Sequence, residues 1–294
     1  MKKVEIQSFD GLKLKGYLFS EVKNPIGVIQ IIHGMQEHGM RYEQTAGDFN
    51  NAGFIVFVSD SRGHGKTAEN LELLGRSDGD IFSETVQDQV IISEYLVAKF
   101  NLPLYVIGHS YGSFIAQRYI QVCNLSKKVV ICGTTDGDNL IMKFGKIIAW
   151  FTEKKNGKHG KATLIENMSL KGYCKGFENG NWLSRDEKVW EAYTKDEYCG
   201  TPFPVSFYRS LFRNMGKLNK GIKDIPLTTR ILLIAGENDP VGSKGKEVKK
   251  LHNKYIKNCL NAKLKLYPEA RHELFNETNR DEVIIDVIKF LKED

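Results

Sequence analysis

Five largely apolar runs recur along the chain without the polar alternation of a strand that has one face in water, and a sixth predicted strand follows them. The five runs occupy residues 26–32, 54–58, 104–107, 128–132 and 230–235, and the sixth strand occupies residues 262–267. Segments with apolar residues at helical spacing lie between and after them, over residues 42–52, 82–100, 113–120, 244–256 and 280–291. Continuous Val- and Ile-rich strands that alternate with helices are typical of a parallel sheet with helices on both faces. The pattern therefore predicts an α/β fold.

Two other stretches depart from this rhythm. Residues 4–19 alternate around Asp10-Gly11, which predicts an N-terminal β-hairpin. Residues 138–222 contain no strand-like run and hold all three tryptophans, Trp150, Trp182 and Trp190. We expect them to form a helical cap between two parts of one core, residues 1–137 and 223–294. The aromatic residues of the cap either wall an apolar pocket or form the cap's own small core.

The positive charge of the chain is concentrated in the predicted cap. The whole chain carries 42 Lys and Arg against 36 Asp and Glu, and residues 138–222 alone hold 15 against 9. A basic cap favours an anionic substrate or transient contact with a membrane surface, or is simply a solvated lysine-rich face. No basic run is interleaved with aromatic residues, so we expect no nucleic-acid partner.

The cysteines and the first residues bear on location. The five cysteines are scattered, odd in number and without a C-x-x-C pair, and the sequence begins Met-Lys-Lys-Val without an apolar segment. No apolar run has the length needed to cross a bilayer. These features predict a cytoplasmic protein.

The most informative short motif is Gly108-His109-Ser110-Tyr111-Gly112, which follows one buried run and precedes a helical segment. A Gly-x-Ser-x-Gly at a strand-to-helix corner is the nucleophile elbow, and the glycines avoid a Cβ clash at the sharp turn. We therefore predict that Ser110 is a nucleophile. The alternative is a solvated serine in an ordinary turn.

A nucleophilic serine needs a base and an acid that orients the base. His272 lies in the loop after the run 262–267, where catalytic groups gather in α/β sheets, whereas His252 lies within a lysine-rich helical segment. We predict that His272 is the base. Asp239 follows the run 230–235 and is the preferred acid, because Pro240 favours an extended turn, and Glu237 is its rival.

When a serine attacks a carbonyl group, the carbonyl oxygen becomes an oxyanion, which backbone N–H donors must stabilise. The N–H of Tyr111, directly after the nucleophile and at a helix N-terminus, is the first expected donor. The second is the N–H of Met35, in the loop after the run 26–32.

Other motifs suggest less. Gly65-Lys66-Thr67 is similar to a phosphate-binding loop, but Asp60 stands where that loop requires glycine. His33, His38 and His64 near Asp60 suggest a metal cluster, but two of them lie in glycine-flanked turns. We expect no metal and no cofactor.

Together these residues resemble α/β-hydrolase-fold serine hydrolases of the monoacylglycerol lipase/lysophospholipase type, in the serine aminopeptidase-like family. The matching blocks are residues 33–38 (HGMQEH) with Arg41-Tyr42, residues 60–65 (DSRGHG), residues 108–112 (GHSYG), residues 270–277 (ARHELFNE) and the cap stretch 181–200. Thr67 departs from the serine that is common in the family. The resemblance implies a mostly parallel eight-stranded sheet with a helical cap insertion. It also implies acyl-ester hydrolysis by Ser110, Asp239 and His272, with Met35 and Tyr111 as donors.

The expected reaction is hydrolysis of a small-molecule ester with an apolar acyl part, through an acyl-enzyme. Three alternatives remain open on the same scaffold: a peptidase or amidase, a thioesterase or acyltransferase, and a binding module without catalysis. A basic cap weighs against a peptidase that selects a free amine. The presence of nucleophile, acid and base weighs against a binding module.

Overall fold

The computed structural model describes residues 1–138 and 140–293 and contains one eight-stranded sheet. The strands are β1 (Lys2–Gln7), β2 (Lys13–Phe19), β3 (Gly27–Ile32), β4 (Phe54–Ser59), β5 (Leu104–His109), β6 (Ser126–Cys132), β7 (Arg230–Gly236) and β8 (Asn261–Tyr267). Their spatial order is β1-β2-β4-β3-β5-β6-β7-β8. β2 is antiparallel to β1 and β4, and all later pairs are parallel. The predicted α/β fold with a mostly parallel sheet is confirmed.

Helices cover the sheet and fill the connections. They are α1 (Glu43–Asn51), α2 (Ile81–Phe100), α3 (Tyr111–Val122), α4 (Leu140–Asn156), α5 (Thr163–Met168), α6 (Leu170–Cys174), α7 (Glu187–Lys195), α8 (Val205–Leu218), α9 (Lys246–Lys257) and α10 (Arg280–Lys292). Short 3-10 turns include Gly39–Tyr42, Gly65–Ala68 and Leu274–Asn276. None of the helices in the described ranges is long and apolar enough to cross a membrane.

In the interior strands β3 to β7, successive side chains point to opposite faces of the sheet, and both faces are largely buried. In β6, Val129 and Ile131 join the core cluster that includes α3 and α8, whereas Val130 and Cys132 join the cluster beneath α10. In a strand with two buried faces, both sets of alternating side chains contact the core. Its sequence is therefore a largely unbroken apolar run.

The connection between β6 and β7 contains α4 to α8, at the place predicted for a cap. Helix α8 fastens this segment to the core through Ser210, whose Oγ accepts the N–H of Phe82 at 3.0 Å. Asn214, one turn later, donates to the Asp80 carboxylate at 2.9 Å. The division at residues 137/138 and 222/223 stays a prediction.

Candidate active site

Ser110 occupies a strained turn between β5 and α3. Its φ of 54° and ψ of −119° lie where a side chain is disfavoured. The turn is tight enough that a Cβ on Gly112 would overlap the carbonyl oxygen of Ile32, and one on Gly108 would lie 2.7 Å from the Ala116 Cβ. The glycines of the motif therefore permit the turn, and Ser110 itself is half-buried at its apex.

His272 and Asp239 are joined by a hydrogen bond of 2.9 Å between Nδ1 and Oδ2. Both are buried, at 1% and 0% exposure. The other carboxylate oxygen of Asp239 accepts the N–H of Val241 at 2.8 Å. The backbone also ties the two loops, since the N–H of Asn238 donates to the carbonyl of Ala270 at 2.9 Å. Glu237, the rival acid, is exposed and does not meet His272.

The hydrogen bond to Asp239 assigns the tautomer of a neutral His272 ring. Because Nδ1 donates to Asp239, Nε2 carries a lone pair, and it has no hydrogen-bond partner among the described residues. Ser110 and His272 are not hydrogen-bonded to one another. They are neighbours through His109, which precedes Ser110 and whose ring centroid lies 4.9 Å from that of His272.

The cap covers this histidine with Trp182. The two ring centroids are 4.9 Å apart, and Trp182 is only 6% exposed. The segment that carries it is held down by the N–H of Glu273, which donates to the carbonyl of Leu183 at 2.7 Å. In the sequence, Trp182 is distinguished from the other cap aromatics only by its place in the cap stretch 181–200 that resembles the family.

The loop after β3 brings Met35 to the serine. Gly34, directly before Met35, is so close that a Cβ on it would lie 3.1 Å from the Cβ of Ser110. Tyr111 is the first residue of α3, so its N–H is among those without an intrahelical acceptor. The Tyr111 N–H therefore lies next to Ser110 at the positive end of α3, and Met35 directly follows the glycine that approaches the serine.

A buried charged network, which sequence reasoning missed, supports this loop. The Glu37 carboxylate accepts hydrogen bonds from the Gly34 N–H, from the Tyr42 hydroxyl at 3.0 Å and from Arg41 at 2.6 Å. Arg41 also donates to Glu273, beside the histidine, at 2.7 and 2.8 Å. Burial alone raises the pKa of Glu37, but Arg41 and His109 outweigh it and hold that pKa well below its ordinary value.

His109 belongs to the same network. Burial lowers its pKa, but the hydrogen bond and charge of Glu37 outweigh burial and leave the pKa raised. Its Nε2 lies 3.3 Å from the carbonyl oxygen of His272 and its Nδ1 3.3 Å from Glu37. A cationic His109 with two N–H donors would fit both acceptors. It links the loop of Met35 to the backbone of the catalytic histidine candidate.

The second loop, residues 60–67, braces the first. Asp60 accepts the N–H groups of Gly39 and Lys66, each at 2.8 Å. Thr67, where the family commonly has serine, donates its hydroxyl to the carbonyl of Asp60 at 2.7 Å and accepts the N–H of Lys15 at 2.9 Å. A serine hydroxyl can make the same bonds. The departure from the family pattern therefore leaves the loop intact.

The suggested cluster of His33, His38 and His64 with Asp60 is not brought together as a metal site. Each of the two loop histidines has a hydrogen-bonding role: His33 Nε2 accepts the N–H of Ser61 at 2.9 Å, and His64 Nδ1 donates to the carbonyl of Arg62 at 2.9 Å. Burial lowers the pKa of His64 to about 3. His38 lies apart from them and faces the cap.

The sheet order, the strained serine turn and the Asp–His pair on neighbouring loops define the class of the molecule. It is an α/β-hydrolase enzyme. The family model described as Serine aminopeptidase, S33 (Hydrolase_4) matches residues 23–279, and the chain belongs to that family.

Proteins of known activity are similar over nearly the whole chain. A monoacylglycerol lipase of Mycolicibacterium smegmatis is 25% identical over 292 residues, covering 96% of this chain and 93% of its own. The monoglyceride lipase of Homo sapiens is 26% identical over 278 residues, covering 90% and 86%. A thermostable carboxyl esterase from Bacillus coagulans superposes with a TM-score of 0.88 at 27% identity, covering 99% and 97%. The chain is accordingly an ester-cleaving serine hydrolase.

Proposed function

We propose that Ser110 is the nucleophile, His272 the general base and Asp239 the acid that orients it. The observation that carries this proposal is the 2.9 Å bond from His272 Nδ1 to Asp239, which leaves Nε2 as an unpartnered acceptor beside the serine turn. A base must hold its lone pair toward the proton that it takes. Asp239 does this by fixing the tautomer of the ring.

The proposed reaction has two steps. His272 Nε2 takes the Ser110 proton as Oγ attacks the ester carbonyl, and then gives that proton to the leaving alcohol. Water, deprotonated by the same nitrogen, next attacks the acyl-enzyme and releases the acid. The N–H groups of Met35 and Tyr111 stabilise both tetrahedral oxyanions, each by about 3–4 kcal/mol.

The proposed substrate is an ester with a long apolar acyl chain, of the monoacylglycerol kind. A cavity of about 400 Å³ within the cap supports this, because most of its lining is apolar. Its lining residues are Phe144, Gly145, Ile148, Ile165, Met168, Ser169, Tyr173 and Phe212. Ring contacts of 5.2 Å from Tyr173 to Trp182 and 4.9 Å from Trp182 to His272 connect its wall to the catalytic centre.

We also propose transient contact of the cap with an anionic lipid surface. Three apolar side chains on one face of α4 are more than half exposed: Phe144 at 61%, Ile147 at 53% and Phe151 at 61%. Their spacing of three and four residues forms a stripe, and exposed lysines flank it at positions 143, 146, 154 and 155. Apolar residues beside lysines on one helix suit the interface of an anionic bilayer.

Vesicle sedimentation tests this contact. We expect binding to vesicles of phosphatidylcholine with phosphatidylserine, weaker binding to phosphatidylcholine alone, and loss of binding in Phe144→Ser/Phe151→Ser. Leu227→Ser is the matched control, since Leu227 is 66% exposed and outside the cap. Equal loss in the control, or no binding by the wild type, would reject the contact.

A cytoplasmic location is part of the same proposal. The thiols of Cys123, Cys132, Cys199 and Cys259 are free, which supports a reducing compartment. Cell fractionation with an antibody against the protein tests it, and recovery in a secreted or periplasmic fraction would contradict it.

The catalytic assignment is tested with p-nitrophenyl esters from acetate to palmitate, monoacylglycerols, an aminoacyl p-nitroanilide and an acyl thioester. We expect turnover of medium and long esters, labelling of Ser110 by a fluorophosphonate, and a loss of about 10⁶-fold in kcat for Ser110→Ala. His272→Gln should be comparably impaired, whereas the control His252→Gln should keep its activity. Anilide or thioester cleavage alone would move the function to those reactions. Folded protein without turnover or labelling would indicate a binding module.

A further inference from the structure

Three side chains with metal-binding atoms meet where the loop after β3 touches the cap. They are His38, Asp196 and Cys199, and their ligand atoms all lie within 4.8 Å of one another. His38 Nε2 and Asp196 Oδ2 are 2.8 Å apart. Among the residues that the structure describes, this is the only such trio of His, Cys and acidic side chains. The proposed reaction uses none of them.

The backbone holds the trio in place before any ligand arrives. The N–H of Tyr198 donates to Asp196 Oδ1 at 2.9 Å, which leaves Oδ2 for His38. The N–H of Cys199 donates to the carbonyl of Asp196 at 3.0 Å and closes a turn that brings the thiol beside the carboxylate. The N–H of Gly200 then donates to the carbonyl of Gln36 at 3.0 Å, fastening this turn to the loop that carries His38.

Burial and charge at the trio suit a cation. Cys199 is 8% exposed, whereas the side chains of His38 and Asp196 are 15% and 32% exposed, so the cluster is closed on the thiol side and open on the carboxylate side. The nearby cation Arg41 is already held by Glu37 at 2.6 Å and by Glu273 at 2.7 Å. Its charge is thereby compensated.

We propose that His38, Asp196 and Cys199 bind a zinc-like divalent cation, with water as the fourth ligand. Imidazole, carboxylate and thiolate are the ligands that zinc prefers, and three protein ligands plus water are typical of an open zinc site. Magnesium and calcium are disfavoured, because both require oxygen ligands.

Binding needs only small movements. Tetrahedral ligands about 2.0–2.3 Å from zinc stand roughly 3.3–3.8 Å apart. The His38–Asp196 pair, now 2.8 Å apart, opens slightly, and the widest pair in the trio closes by up to about 1 Å on the same scale. The metal replaces the Cys199 thiol proton, which passes to solvent, and the proton on His38 Nε2 moves through solvent to Nδ1, so that Nε2 is free to bind the metal. The bound cation then ties the cap turn to the loop that carries Met35.

Cobalt titration of chelator-treated protein, followed by absorbance, tests the site. Tetrahedral Co²⁺ absorbs in the visible, and a thiolate ligand adds a charge-transfer band in the near ultraviolet. We expect both at one Co²⁺ per chain, and displacement of both by Zn²⁺. Cys199→Ser should lose the thiolate band, and His38→Gln should weaken binding by about tenfold or more. The controls Cys259→Ser and His252→Gln should titrate like the wild type.

Two outcomes overturn the proposal. One is a wild type without the thiolate band at equimolar Co²⁺, and the other is a band that Cys259→Ser loses and Cys199→Ser keeps. Metal-free melting curves show whether each variant is folded, and His38→Gln decides the matter where Cys199→Ser is not. Ser110→Ala should bind Co²⁺ as the wild type does. The metal site is thereby tested independently of the proposed catalysis.

Discussion

Asp239→Asn tests the proposed acid with the least change of shape. Asp239 accepts one hydrogen bond on each oxygen, from the Val241 N–H at 2.8 Å and from His272 Nδ1 at 2.9 Å. If the asparagine oxygen keeps the first bond, its NH₂ group faces Nδ1. His272 must then carry its proton on Nε2, where it can no longer accept the proton of Ser110.

The expected size of the effect follows from this change of tautomer. The corresponding substitution in a Ser-His-Asp triad lowers kcat by about 10⁴, which is about 5.4 kcal/mol at 1.36 kcal/mol per tenfold. We expect a loss of that order on p-nitrophenyl butyrate, with KM changed by less than about threefold, because Asp239 acts through His272 and not on bound substrate. The free energy of unfolding should fall by about 1 kcal/mol, since a hydrogen bond to a charged carboxylate is replaced by a neutral one.

Glu237→Gln is the matched control. The Glu237 side chain is exposed, and its backbone N–H donates to the carbonyl of Tyr267 at 3.0 Å. Its kcat should stay within about twofold of the wild type, as is usual for a surface substitution. A loss below tenfold in folded Asp239→Asn would refute the tautomer argument. A larger loss in Glu237→Gln would make that residue the acid.

Three further outcomes are expected. Gly112→Ala should abolish esterase activity and lower the melting temperature, because its Cβ would overlap the Ile32 carbonyl, whereas Gly47→Ala, which meets nothing within 4 Å, should stabilise α1 by about 0.5–1 kcal/mol. The pKa of His64 is about 3 in the native state, and its ordinary value is 6.5, so the unfolded chain takes up a proton that the native protein refuses. The contribution of neutral His64 to the free energy of unfolding is present above pH 6.5 and is lost as pH falls toward 3. Between pH 7 and pH 5, the free energy of unfolding measured with urea should therefore fall by about 2 kcal/mol less in His64→Gln than in the wild type. Phe212→Trp should fill the cap cavity and lower kcat/KM for palmitate esters more than for acetate, and equal losses would remove the acyl chain from that cavity.

Much of the fold was predictable because its determinants are local. The run 54–58 lies within β4, where all six residues are buried, and Gly53, after α1, has a φ of 97° that glycine tolerates. The order of strands along the chain does not give their order in space, and the crossover that places β3 between β4 and β5 was not predicted. Periodicity records which faces are buried, not which neighbour buries them.

The site divides in the same way. The strained turn at Ser110 was predictable because its glycines are neighbours in sequence. The partner of His272 was open between Asp239 and Glu237 because both follow one strand, and burial of Asp239 distinguishes them. Trp182 over His272 was out of reach, since 90 residues of chain separate them and many cap aromatics have similar sequence surroundings.

The buried charges give the motif residues a physical reason that sequence alone lacked. An isolated carboxylate such as Glu37 is costly inside a protein unless donors surround it. Here the Gly34 N–H, Tyr42 and Arg41 all donate to it, and Arg41 in turn binds Glu273 next to the catalytic histidine candidate. Removing any one of these side chains would leave a buried charged partner unpaired. The residues of the network therefore depend on one another although Glu273 lies more than 230 positions after Arg41 in the sequence. The spacing of the block 33–42 is therefore that of a brace for the loop carrying Met35.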